Sequence, residues 1–283
     1  MENFFQAENS PPIFYRYLAC AQATHLFVIV HGFGEHSGRY QALLEFLHTQ
    51  EPRLAFLALD LRGHGRSGGP RADMRVFDDY WKDILALTSH VRRTCAAPAR
   101  IIFCGHSLGG LIVLRGLLNP CPQAAGALVS SPCLGVPLNF FLRLAHALIY
   151  RICPGFYYPN PVRTGDLTHD GTEAARYEQD PLVQKKIRAP LLEAMQRSAR
   201  QMERGAFHFG VPVFFLLAGE ERVVDLKRSL DFYARMDAPL KRLHCFEGFR
   251  HEIFNEVGRQ IAYDTALNSI RKILTQDSKS SPS

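Results

Sequence analysis

At 283 residues, 47% hydrophobic and 21% charged, the chain can bury a sizeable core as one large domain, or as one domain carrying an insertion, without disulfide staples. Its formal charge of +6 is scattered rather than gathered into Lys/Arg blocks, which argues against a nucleic-acid partner. Seven cysteines without a CxxC pair argue against a disulfide framework and for a reducing, cytoplasmic setting.

The N-terminal MENFFQAENSPP holds no apolar core of signal-peptide length. Continuous apolar runs at 26–30, 54–59, 101–104, 127–129 and 213–217 read as strands buried on both faces, and a last strand-like run lies at 240–246. Between them Phe77, Tyr80, Trp81, Ile84, Leu85 and Val91 share one face of a helix predicted over 76–93, and a second helix is expected over 108–118. Phe254, Val257, Ile261, Ile270, Ile273 and Leu274 mark a closing helix. The alternation predicts an α/β fold, a mostly parallel sheet with right-handed crossovers.

The alternation stops in the middle of the chain. An amphipathic helix over 138–152, the turn PGFYYPNP, and polar helical stretches over 172–177 and 184–203 read as a helical insertion above the C-terminal strand ends. The expected division is a core of 1–134 and 211–275, a cap over 135–210, and a disordered polar tail over 276–283. The apolar stretch near 137–153 is too short and too interrupted to span a bilayer, but a cap helix of this kind suits peripheral contact with lipid.

The strongest chemical signal is RIIFCGHSLGG, in which a strand runs into Gly105-His106-Ser107-Leu108-Gly109 and a helix follows. This is the G-x-S-x-G elbow in the context it requires, with Ser107 as nucleophile. A serine hydroxyl needs a base and an orienting acid. His251, between the last strand and the closing helix, is the expected base. The loop AGEERVVD after strand VFFLL supplies the acid, with Glu221 as first choice and Asp225 as the alternative, since Asp225 could instead cap the helix beginning near Leu226. The amides of Phe33, in HGFGEHSGRY, and of Leu108 are the expected oxyanion donors.

The motifs HGFGEHSGRY, LDLRGHGRSGG, GHSLGG, SSPCL, DPL at 180–182, GEERVVD and HEIFNE occur in that order. Together they resemble the monoacylglycerol lipase and lysophospholipase family of α/β-hydrolases over about 14–256. The resemblance implies the α/β-hydrolase fold, a mobile helical cap, and cleavage of single-chain lipid esters with neither metal nor cofactor. It also implies that Glu35, Arg39 and Tyr177 form a polar pocket for the leaving alcohol, although Glu35 and Arg39 could equally brace their loop. One departure stands out. The family usually has aspartate where this chain has Glu221, which leaves open a Ser-Glu-His triad, substitution by Asp225, or weakened activity. A short-chain esterase or thioesterase, and a binding module that has lost turnover, are the competing readings.

Two further patterns are set aside. Gly63 to Gly68 satisfy G-x-G-x-x-G, but Pro70 stands where a dinucleotide site needs a helix to open. His31, His36, His64 and His106 lie on three separate loops with no HExxH pair, so no metal site is expected.

Overall fold

The computed structural model describes residues 1–8, 10–135, 140–160 and 162–280. In chain order the strands are β1 (Glu2–Phe5), β2 (Ile13–Leu18), β3 (His25–Val30), β4 (Leu54–Leu59), β5 (Arg100–His106), β6 (Ala124–Ser130), β7 (Tyr157–Pro159), β8 (Lys186–Arg188), β9 (Phe207–His208), β10 (Val213–Ala218), β11 (Met236–Asp237) and β12 (Lys241–Phe246). Eight of them form one sheet in the order β1-β2-β4-β3-β5-β6-β10-β12. β2 runs antiparallel to both its neighbours, and every other pairing is parallel.

The apolar runs make the centre of this sheet because helices cover both its faces. Along β3, Leu26, Val28 and Val30 face one core with Ile84, Leu87 and Val91 of α2 (Asp79–Cys95), after α1 (Gln41–Gln50) in the chain. Phe27 and Ile29 face the other, with Leu43 and Leu47 of α1 and residues such as Ile270 and Ile273 near the C-terminus. The helices that follow are α3 (Leu108–Gly116), α4 (Phe140–Ile152), α5 (Thr164–Leu167), α6 (Gly171–Gln179), α7 (Ala189–Met202), α8 (Leu226–Arg235) and α9 (Gln260–Ser280).

Four differences from the sequence reading stand out. β1 and β2 were not expected. β1 is mostly exposed and carries no apolar run, so only its pairing with β2 makes it a strand. The helix expected over 76–93 begins three residues later, at Asp79. The helix expected over 184–203 is preceded by β8, which pairs antiparallel with β7, and starts at Ala189, where Pro190 at the first turn suits a helix start.

The fourth correction concerns the tail expected to be disordered over 276–283, because α9 continues to Ser280. The cause is Asp277, which is buried and accepts from the Arg100 guanidinium and lies 3.0 Å from His25 Nε2. Composition made this stretch look solvated, but one carboxylate anchors it to β3 and β5. The first positions of the helix expected over 138–152 fall outside the described residues, as does the end of the tail.

Candidate functional site

At the C-terminal ends of β5 and β3 the chain makes two tight turns side by side. Ser107 sits between β5 and α3 with φ 51° and ψ −113°, a strained conformation for a residue with a side chain. The turn closes because its flanks are glycines. A Cβ on Gly109 would run into the Val30 and His31 carbonyls, and one on Gly105 would meet the backbone of Gly109 and Gly110. The Ser107 amide donates to the Ser130 carbonyl (2.9 Å), which ties the turn to β6.

Ser107 and His251 line the same cavity, of about 380 Å³. Gly32, Phe33, His106 and Glu252 contribute to the wall from the core, while Leu142, His146, Tyr158, Ile187, Leu192 and Met195 close it from the segment between β6 and β10. The His251 ring lies 4.7 Å from that of His106.

Glu221 is the carboxylate that reaches His251. Its two oxygens lie 2.9 and 2.8 Å from Nδ1, with both side chains almost fully buried. The extra methylene of glutamate is accommodated by the loop, since Glu221 Oε1 also accepts from the Val223 (2.8 Å) and Val224 (3.1 Å) amides. Asp225, the alternative acid, is elsewhere. It caps α8 by accepting from the Arg228 amide (3.2 Å) and pairs with the Arg228 guanidinium. In this structure Asp225 is a helix cap.

Burial alone would depress the His251 imidazole, but Glu221, with Glu252 and Glu35 beyond it, holds it above its ordinary value. Burial pushes Glu221 up, and His251 together with the two amides brings it below the usual carboxylate range. Each partner thus favours the charged form of the other. Among the described residues neither the Phe33 nor the Leu108 amide donates to another protein group.

The residues expected to bind an alcohol do converge. Glu35 and Tyr177 line the cavity, and the Arg39 guanidinium stacks 5.0 Å over the Tyr177 ring. Much of their bonding is internal, however. Glu35 Oε1 accepts from the Gly32 amide (2.6 Å) and the Tyr40 hydroxyl (2.7 Å), and Arg39 pairs with Glu252 and Glu35. Burial, then Glu252, lifts Glu35 to about 7 against the pull of Arg39. Glu252 was missed in the sequence. The pairing with Arg39 spans 213 positions, and no local pattern announces such a contact.

The histidines weighed as metal ligands have separate partners: His36 faces Asp180, His106 faces the Ser130 hydroxyl, and His64 faces the Arg62 carbonyl. Among the described residues no group of three or more His, Cys, Asp or Glu is placed to hold a metal ion. The G-x-G-x-x-G stretch closes on itself as a turn, with the Gly63 amide donating to the Gly68 carbonyl.

A family model described as serine aminopeptidase, S33 (Hydrolase_4) matches residues 21–258. The chain belongs to that family. Within it the chain is 30% identical, over 98% of its length, to the uncharacterized protein YnbC of Escherichia coli, and spans about half (48%) of that relative. It is 26% identical to the monoacylglycerol lipase of Mycolicibacterium smegmatis, covering 86% of both chains. The crystal structure of Paleococcus ferrophilus monoacylglycerol lipase superposes with a TM-score of 0.76 at 25% identity, over 91% of this chain and 99% of that one. This member of the family accordingly has the α/β-hydrolase fold.

Proposed function

We propose that the protein is a serine hydrolase that cleaves carboxylic esters of single-chain lipids, a monoacylglycerol or lysophospholipid, through an acyl-enzyme. The observation that carries this reading is Ser107 on its strained turn, sharing one cavity with an imidazole that Glu221 holds by Nδ1. With Nδ1–H donating to Glu221, Nε2 is the ring's free base. It takes the Ser107 proton as Oγ bonds to the acyl carbon, and the carbonyl oxygen becomes an anion. The Phe33 and Leu108 amides receive that anion. His251 then gives its proton to the departing alcohol. Water, deprotonated by the same nitrogen, attacks the acyl-enzyme, and His251 returns that proton to Ser107 Oγ as the C–Oγ bond breaks and the fatty acid leaves.

Lipid is favoured over a polar acyl group by the cavity's lining from Leu142, Ile187, Leu192 and Met195. In this reading the segment between β6 and β10 is a cap over the site. Its α4 turns Leu144, Leu148 and Ile152 outward, each more than half exposed, which suits contact with a lipid surface. No helix of the described residues is long and apolar enough to cross a membrane. Glu35 and Tyr177, supported by Arg39, form the polar end where a leaving alcohol would sit.

The test compares wild type with Ser107→Ala on long-chain monoacylglycerol and lysophospholipid, alongside fluorophosphonate labelling. Turnover and label are expected in wild type only. Equal turnover by both proteins would remove the proposal, and a steady fall in rate beyond a few acyl carbons would move it to a short-chain esterase.

A further inference from the structure

We infer that His31 is a positioning residue for the oxyanion-binding amide of Phe33, acting through the carbonyl of Gly32. The inference rests on the proposed role of the Phe33 amide and goes beyond it, because it concerns what aims that amide.

The Gly32 carbonyl and the Phe33 N–H belong to one planar trans peptide unit, so fixing the carbonyl fixes the direction of the N–H. His31 Nδ1 lies 2.7 Å from that carbonyl oxygen. The other ring nitrogen, Nε2, lies 2.8 Å from the Leu61 amide. A carbonyl can only accept and an amide N–H can only donate, so the two contacts dictate the ring's state. Nδ1 carries the proton, Nε2 is bare, and the imidazole is neutral. Burial supports this by pushing His31 down to about 3, and the ring is fully enclosed.

The other side of residue 32 is held as well, since its amide donates to Glu35 Oε1 (2.6 Å), which is itself steadied by the Tyr40 hydroxyl. Clamped at both ends, the turn cannot rotate its peptide away from the cavity. His64 backs the arrangement, with its ring edge-on to those of His31 (5.5 Å) and Phe33 (5.7 Å). A donor on the Gly32 carbonyl also polarises the peptide, which strengthens the N–H at its far end. The competing reading is that His31 only fills the core and joins the end of β3 to Leu61.

Two substitutions separate these readings. His31→Asn keeps a donor at the position of Nδ1 and loses the Leu61 contact, whereas His31→Gln reaches toward Leu61 and loses the Gly32 carbonyl. Both are assayed as folded protein on a long-chain monoacyl ester. Each also receives a trifluoromethyl ketone, which becomes an oxyanion on Ser107, and an unreactive ether that merely occupies the cavity.

With positioning, His31→Gln lowers kcat by ~10- to 100-fold at unchanged KM, a fraction of what losing a whole donor costs. It weakens the ketone by a similar factor and leaves the ether unchanged, while His31→Asn stays within a fewfold of wild type. Equal impairment of both variants, or parallel losses of ketone and ether, would overturn the inference. Should the variants not fold, nitrogen NMR of wild type is the test: a scalar coupling across the Nδ1–H bond to the Gly32 carbonyl supports the clamp, and a ring that is charged or protonated at Nε2 between pH 5 and 8, or the absence of that coupling, refutes it. Wild type that neither turns over the ester nor binds the ketone overturns the reading of the site and this inference with it.

Discussion

Shortening Glu221 to aspartate keeps a carboxylate in the loop, yet by the structure's geometry activity should fall. Glu221→Asp withdraws the carboxylate by about one carbon–carbon bond, ~1.5 Å. The pair now stands 2.8 Å apart. With an effective dielectric of about 20, attraction between the carboxylate and the imidazolium formed during attack drops from about 6 to about 4 kcal/mol. A deficit of about 2 kcal/mol in the transition state corresponds to roughly 30-fold in kcat. The loop does not follow the shorter side chain freely, because the Val223 and Val224 amides already bind the same oxygen. Glu221→Gln should cost more, about 10³- to 10⁴-fold, since an amide removes the charge and can drive the ring into the wrong tautomer. Asp225→Asn should leave kcat close to wild type, as Asp225 caps α8. The assay is steady-state hydrolysis of a long-chain monoacylglycerol by the three variants. A Glu221→Asp enzyme as fast as wild type, or an Asp225→Asn enzyme slower than the Glu221→Gln one, would refute the reasoning.

Four other outcomes are expected. Because Glu221 holds His251 above its ordinary value, the acid limb of kcat/KM should lie above about pH 6.5, and Glu221→Gln should move it downward in a pH–rate profile. In stability the same pair acts from both sides. The raised His251 contributes fully below about pH 6.5 and is lost as pH rises through its folded value, while the lowered Glu221 contributes above about pH 4.3 and is lost as pH falls. Denaturation midpoints should therefore show the pair's largest effect between those limits. Asp277→Ala should destabilise the fold by about 2 kcal/mol in urea titration, because it strands the buried His25 and takes the carboxylate from Arg100. Replacing Leu144 and Leu148 together by glutamate should lower binding to phospholipid vesicles by at least tenfold, while hydrolysis of a dispersed short-chain ester stays unchanged.

What the sequence disclosed follows how local each signal was. The central strands were legible because burial on both faces leaves an unbroken apolar run, as in LFVIV and VFFLL. Ser107 was legible because its turn tolerates only glycines at positions 105 and 109. His251 and the first-choice acid Glu221 could be approached by chain order, and the loop's geometry puts Glu221 against His251 and Asp225 at the start of α8. Features made by distant partners stayed hidden. β1 has an exposed face and no pattern of its own, Asp277 sits in a polar tail, and Arg39 and Glu252 meet only through the fold. His31 was noted only as one of several scattered histidines, although it is bonded on both ring nitrogens.

The segment joining α5 to α6 grips the loop that carries His251. The Glu252 amide donates to the Leu167 carbonyl (2.8 Å), the Thr168 hydroxyl to the Asn255 carbonyl (2.8 Å), and the His169 and Arg250 amides both to Glu256. Farther along, the Gln184 amide donates to the Gly34 carbonyl (2.7 Å). A chimera that exchanges the whole segment between β6 and β10 with a relative would thus transplant the histidine's footing along with the cavity wall, and a dead hybrid would say little about substrate choice. Grafting α4 by itself leaves those fastenings intact and is the cleaner route to a changed preference.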